Sequence, residues 1–168
     1  KITQNQMAGI YDIRSWADIV TAHRISGPDI VDGIAEGWAD VQRIGGVLLL
    51  AQMSSRGNLL DQKYTKETIE TGKGSPHVIG YIGNGSSPQE IEQLREIVGP
   101  GQMIWTPGIN LNTEAGKMGQ RYGTPRESIV SGADIIIVGS GIHGQEDRVG
   151  AAKAYAEASW NAILERGK

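Results

Sequence analysis

The stretch Thr106-Pro107-Gly108-Ile109-Asn110-Leu111, continuing through Gly116 to Gly119-Gln120-Arg121-Tyr122, collects side chains able to donate hydrogen bonds to a phosphate. Amide and phenol groups both donate to anionic oxygens, and a connection this long is uncommon unless it is functional. A second segment, Ile135-Ile136-Ile137-Val138-Gly139-Ser140-Gly141, runs an apolar strand into small residues at a helix start. Unpaired backbone N–H groups there suit an anion. From Gly139 to Gly144 the same stretch spells G-x-G-x-x-G, formally the dinucleotide fingerprint. That fingerprint needs a further strand about 20 residues on, ending in an acidic residue for a ribose. A long helical pattern occupies that place instead, so these glycines read as turn geometry or as a simple phosphate corner.

Other reactive types are sparse. Ser54 and Ser55 end an apolar strand without the G-x-S-x-G elbow of a nucleophile, which leaves Ser54 a hydrogen-bonding role. His23 closes another strand, but a lone histidine is more often a structural hydrogen-bonding group. His77 and His143 fall in loops, and three dispersed histidines without cysteine supply no metal-binding spacing. A zinc site is therefore not expected. Asp29, Asp32 and Glu36 share a helical face by spacing, the pattern of a solvated surface. Trp16, Trp38, Trp105 and Trp160 are too far apart for a stacking platform, so core or interface packing is expected of them.

The elements that must position these residues alternate. Apolar, β-branched runs at 18–22, 46–53, 78–82, 103–106 and 134–138 predict five buried strands. Amphipathic or capped stretches at 28–41, 65–71, 88–98, 125–130 and 144–164 predict helices, and 2–14 predicts one more before the first strand. Ser87-Pro88 and Thr124-Pro125 each place a hydroxyl at the N-cap and proline at the first helical position, and Ser87-x-x-Glu90 suggests a capping box. Such alternation implies a parallel sheet covered by helices, either open and doubly wound or a (β/α)8 TIM barrel. A spacing of about 25 to 30 residues per unit fits the barrel, whose eight units need about 250 residues. The chain thus supplies about the last five strand-helix units, with 1–168 the C-terminal part of one barrel domain. Its open edges would be completed by N-terminal strands.

Composition narrows the partners. With 168 residues, 39% of them hydrophobic, the chain can build a real core. A formal charge of −3 gives no electrostatic drive toward nucleic acid. The longest apolar run, 47–51, is too short to span a bilayer, and no secretory address or disulfide framework is present. A cytoplasmic setting is expected.

Six motifs recur here in the order seen in one family: Ala8-Gly9-Ile10-Tyr11 with Ser15-Trp16-Ala17-Asp18-Ile19; Ala22-His23; Met53-Ser54-Ser55-x-Gly57-x-Leu59; Thr106-Pro107-Gly108; Gly119-Gln120-x-Tyr122; and Asp134-Ile135-Ile136-Ile137-Val138-Gly139. On these residues the chain resembles the C-terminal portion of eukaryotic-type orotidine 5′-monophosphate decarboxylases. The resemblance implies a homodimeric barrel and a carboxy-lyase of pyrimidine biosynthesis. It would convert orotidine 5′-monophosphate to uridine 5′-monophosphate and carbon dioxide without a cofactor. Carried over by motif, Ser54 would hydrogen-bond the pyrimidine edge, Gln120 and Tyr122 would bind the phosphate, and Gly139 with Ser140 would bind it from below.

Two departures accompany the resemblance. The family's catalytic D-x-K-x-x-D array would lie just upstream of Lys1, so no catalytic residue is nominated in this chain and the chain alone is expected to be inactive. Ser140 stands where the family carries a phosphate-gripping arginine, and serine cannot supply a bidentate cation. Arg121 is near enough in sequence to be a candidate substitute. These departures also fit an alternative, a non-catalytic barrel remnant that binds nucleotide or phosphate.

Overall fold

The computed structural model describes residues 1–111 and 122–167. The chain forms two compact units, Lys1–Ala51 with Asp61–Tyr81, and Gln52–Leu60 with Ile82–Lys168. The five strands follow one another in the sheet order β1-β2-β3-β4-β5.

The first unit contains α1 (Ile2–Met7), α2 (Ile13–Trp16), β1 (Ile19–Ala22), a 3₁₀ turn (Arg24–Ser26), α3 (Ile30–Ala39), β2 (Gly46–Leu50), α4 (Gln62–Lys73) and β3 (Val78–Ile82). β1 and β2 pair in parallel with Ile19 opposite Gly46. Val47, Leu48 and Leu49 are all buried, so both faces of β2 are covered, as in a parallel sheet lined by helices. Around them the polar tips of large side chains find backbone acceptors: Trp38 Nε1 donates to the Ala17 carbonyl at 2.8 Å and Tyr81 Oη to the Ile69 carbonyl at 2.9 Å. Burial of such rings therefore leaves no donor stranded. Asp61 caps α4 by accepting from the Tyr64 N–H at 2.7 Å, which starts that helix three residues before the expected 65.

The second unit holds α5 (Pro88–Val98), β4 (Met103–Thr106), α6 (Pro125–Val130), β5 (Ile135–Ile136), α7 (Ser140–His143) and α8 (Arg148–Arg166). β4 and β5 are parallel, with Trp105 opposite Ile135. Arg95 and Arg166 converge on this unit's chain turns. Arg95 donates to the carbonyls of Gly99, Gln102 and Gly132, Arg166 to those of Ile129 and Ala133, and both pair with Asp134. Two arginine side chains, both paired with Asp134, thus satisfy five carbonyls where β4 and β5 begin.

Other expected elements are corrected as well. The helix expected over 2–14 is two helices: α1 ends at Met7, and α2 starts after Asp12, which takes left-handed backbone angles (φ 38, ψ 53) at its N-cap. The strand expected over 46–53 stops at Leu50, and two residues on the side chain of Gln52 bonds Asn84 and Glu90. β5 regularises over two residues of the expected five. The last helix begins at Arg148, where Asp147 caps it by accepting from the Gly150 N–H at 2.8 Å, and the short α7 precedes it.

Candidate functional site

Within the second unit, successive strand ends are tied by one backbone bond each. The Gln52 N–H donates to the Ile82 carbonyl at 3.1 Å, the Gly83 N–H to Trp105 at 2.9 Å and the Ile137 N–H to Thr106 at 2.9 Å. These bonds set residues 52, 83, 105–106 and 137 side by side. The residues just beyond them share one rim at the C-terminal ends of the strands, the face on which barrels of this kind carry their ligands.

Ser54 lies two residues past Gln52 and is buried at 7% exposure. Its segment is shaped by Asn58, whose amide donates to the Ser55 carbonyl at 2.8 Å while its oxygen accepts from the Leu60 N–H at 3.0 Å. Gly139 lies two residues past Ile137 and is exposed at the N-cap of α7, with Ser140 the exposed first residue of that helix. The Gly139 carbonyl accepts from the N–H groups of Ile142 and His143 at 3.0 and 3.2 Å. A Cβ at Gly139 would meet nothing within 4 Å, so the space over this backbone is open. Gly141 is different, because a Cβ there would sit 2.2 Å from the Tyr155 hydroxyl. The fingerprint glycine at 141 thus packs against α8, which is a structural use of it.

Tyr122 is half-buried, directly before the buried Gly123. Gly123 returns the long connection to the rim: its N–H donates to the Gly108 carbonyl, and its carbonyl accepts from the Asn110 N–H, both at 2.9 Å. On the strand side of the connection, the Leu111 N–H donates to the Tyr155 hydroxyl at 3.1 Å, which donates in turn to Asn110 Oδ1 at 3.3 Å. Both ends of the connection are therefore anchored. Gln120 and Arg121 lie outside the described residues.

Immediately after Gly123, Thr124 and Glu127 form a complete capping box. The Glu127 carboxylate accepts from the Thr124 hydroxyl at 2.7 Å and from its N–H at 3.0 Å, and the Thr124 hydroxyl accepts from the Glu127 N–H at 3.2 Å. The Thr124 side-chain bond, then its backbone bond, hold the Glu127 carboxyl below its ordinary value, with help from the Arg126 charge.

Sequence reasoning missed a buried polar cluster on the same rim. Asn84, fully buried, donates from Nδ2 to Glu90 at 3.0 Å, and its Oδ1 accepts from the Ser86 N–H and hydroxyl at 3.1 and 2.7 Å. The Gln52 side chain accepts from the Asn84 N–H and donates to the Glu90 carbonyl. Glu90 had been expected to close a capping box. Ser87 does cap α5, accepting from the Glu90 N–H at 3.4 Å, but the Glu90 carboxylate goes to Asn84. No pattern in the sequence signals the cluster, because Gln52, Asn84 and Glu90 meet only in space.

Elsewhere in this unit, a cavity of about 560 Å³ is lined mainly by apolar groups, among them Trp105, Ile135, Ile137, Ile142 and Ile163. Trp105 Nε1, buried, finds no acceptor among the described residues. His23 belongs to the first unit, with its Nδ1 3.5 Å from the Tyr64 hydroxyl, a structural environment. Of the tryptophans expected to pack, Trp38 is in the core while Trp16 and Trp160 are exposed. Among the described residues no helix is long and apolar enough to cross a membrane, and no group of three or more His, Cys, Asp or Glu residues could hold a metal ion.

Comparison with known proteins follows the same outline. The chain is 41% identical over 161 residues to orotidine 5′-phosphate decarboxylase of Phycomyces blakesleeanus, a match covering 94% of this chain and 57% of that protein. It is 38% identical over 164 residues to the Pichia kudriavzevii protein of the same name, covering 96% of this chain and 60% of the relative. The chain thus spans somewhat under two thirds of the length of these relatives. Among solved structures, orotidine 5′-phosphate decarboxylase from Pyrococcus horikoshii superposes with a TM-score of 0.74 at 25% identity, over 95% of this chain and 68% of that one. The Sulfolobus solfataricus structure, at 20% identity and a TM-score of 0.70, shares the fold. The alternating strands and helices are therefore part of a (β/α)8 barrel. The family model described as orotidine 5′-phosphate decarboxylase / HUMPS family matches residues 1–155, and the chain belongs to that family.

Proposed function

We propose that the protein decarboxylates orotidine 5′-monophosphate to uridine 5′-monophosphate and carbon dioxide, and that these 168 residues form the part of the barrel that holds the nucleotide. The observation that carries the reading is family membership over 1–155, joined to a strand-end rim bearing a buried serine, a phenol and an open helix start. In this reading Ser54 hydrogen-bonds the pyrimidine edge, since a hydroxyl can both donate and accept. Tyr122 and Gln120 donate to the phosphate, while the backbone at Gly139 and the residue Ser140 meet it from the other side. Phosphate binding remote from the reacting carbon would help to hold the base in place.

The aspartate-lysine-aspartate array of the family, with the remaining strands of the barrel, would come from outside these residues. Carboxylate charge beside the substrate and a lysine delivering a proton to C6 are chemistry that this chain's side chains do not duplicate. A cytoplasmic homodimer is the assembly the family reading implies. The negative charge and the motifs favour a nucleotide ligand over nucleic acid or membrane as partner.

The test is release of carbon dioxide from carboxyl-labelled substrate by the full-length protein, followed with Ser54→Ala, Tyr122→Phe and Ser140→Arg. The first two variants should raise KM. Ser140→Arg should tighten uridine 5′-monophosphate by about tenfold to a hundredfold, because a charge-assisted bond is worth roughly 1.5–3 kcal/mol. Binding of the nucleotide without carbon dioxide release would overturn the enzymatic reading, and no effect of Ser140→Arg would overturn the phosphate assignment.

A further inference from the structure

The buried cluster at Asn84 is left unused by the nucleotide reading, although its contacts reach toward both ends of the candidate site. Asn84 has no solvent exposure, and its amide can stand only one way round. The Glu90 carboxylate can only accept, so Nδ2 faces it at 3.0 Å, which leaves Oδ1 for the Ser86 N–H and hydroxyl. On one side, the Asn84 N–H donates at 3.0 Å to Gln52 Oε1, and Gln52 Nε2 donates at 3.1 Å to the Glu90 carbonyl. Those two bonds fasten the segment that reaches Ser54 two residues later. On the other side, Asn84 leads into Gly85. A Cβ at Gly85 would lie 2.2 Å from the Pro107 carbonyl oxygen, and one at Gly123 would lie 2.2 Å from the Gly85 carbonyl oxygen. Backbone meets backbone at both contacts, so the position of Gly85 sets that of Gly123, the neighbour of Tyr122.

We propose that Asn84, oriented by Glu90, is a positioning residue that fixes the spacing between the Ser54 segment and the Tyr122 segment, so that both ends of a nucleoside monophosphate are gripped at once. The inference rests on the site reading given above. Two subsites bind a joined ligand more tightly than its parts only when their separation matches the ligand and is held there. A buried amide paired through both its nitrogen and its oxygen, with a charged partner, holds position better than a solvated one, because the flipped orientation strands a donor or acceptor.

The experiment compares uridine 5′-monophosphate, uridine and inorganic phosphate by calorimetry on the full-length protein. Asn84→Asp sets a carboxylate against Glu90, whereas Asn84→Asp combined with Glu90→Gln exchanges donor and acceptor and restores the bond. The single variant should weaken the nucleotide by about tenfold or more while changing uridine and phosphate by less than about twofold. The double variant should recover to within about threefold. Should Asn84→Asp not fold, Gln52→Met, which keeps the volume but cuts the tie to Asn84, should show the same split. An unchanged nucleotide affinity in the single variant, or equal weakening of the nucleotide and both fragments, would overturn the inference. Ser54→Ala and Tyr122→Phe serve as controls. If neither weakens the nucleotide, the site reading itself has failed; if they do and the Asn84 variants do not, only the positioning role has.

Discussion

Thr124 and Glu127 show how a pair of residues holds the end of the long connection to its helix. Three hydrogen bonds between them satisfy donors that α6 would otherwise leave open at its first turn. Thr124→Ala should therefore destabilise the fold by about 1 kcal/mol in denaturant titration. The pH dependence has a definite sign. The folded carboxyl of Glu127 sits below its ordinary value of 4.5, so its contribution is present above that value and fades as pH falls through the lower folded one. The stability difference between the protein and Glu127→Gln should accordingly be constant near neutrality and shrink in acid; a difference that grew on acidification would contradict the capping geometry. At this scale the sequence was partly legible. Thr124-Pro125 announced its cap. Asn84 was silent, because Gly83-Asn84-Gly85-Ser86 reads as an ordinary turn and its role depends on Gln52 and Glu90 meeting it in space.

Elements were legible where periodicity and caps agreed, and illegible where a single backbone angle or side-chain contact intervened. The run Val47-Leu48-Leu49 declared a strand buried on both faces. Apolar residues at helical spacing over 2–14 declared a helix, but α1 ends at Met7 and α2 restarts only after the left-handed Asp12, a break that the periodicity does not encode. The two pieces still matter to packing. α1 crosses α3 at two glycines one turn apart: a Cβ at Gly37 would lie 2.8 Å from the Met7 Cβ, and one at Gly33 would lie 3.3 Å from the Thr3 Cβ. Alanine gains up to about 1 kcal/mol over glycine in a helix, whereas forcing a methyl into a filled contact costs about 1–3 kcal/mol. At Gly37 the clash is with a side-chain stem that cannot swing away, so steric cost wins and Gly37→Ala should lower the denaturation midpoint. At Gly33 the approach is looser, and Gly33→Ala should be near neutral or mildly stabilising. Equal effects at the two sites would mean that α1 does not pack on α3 as described.

For the molecule as a whole, what the sheet leaves unpaired decides behaviour in solution. β1 and β5 end the strand order, and each leaves one row of backbone donors and acceptors without a neighbouring strand among the described residues, a template for pairing with another chain. The second unit adds an apolar patch of its own, since Trp160 and Leu164, one turn apart on α8, are 61% and 52% exposed. Apolar side chains at that spacing on a solvated helix mark a contact surface. The 168-residue chain alone should therefore self-associate in sedimentation velocity at concentrations from about 10 to 100 μM, the range in which exposed edges and apolar surface drive assembly. Trp160→Lys combined with Leu164→Glu separates the two causes: a shift toward monomer assigns association to α8, and persistence assigns it to the strand edges. The full-length protein should not form the open-ended series and should give one discrete species, because closure of the barrel removes both edges at once. A monomeric 168-residue chain across that range would show that neither edge nor patch is available for association.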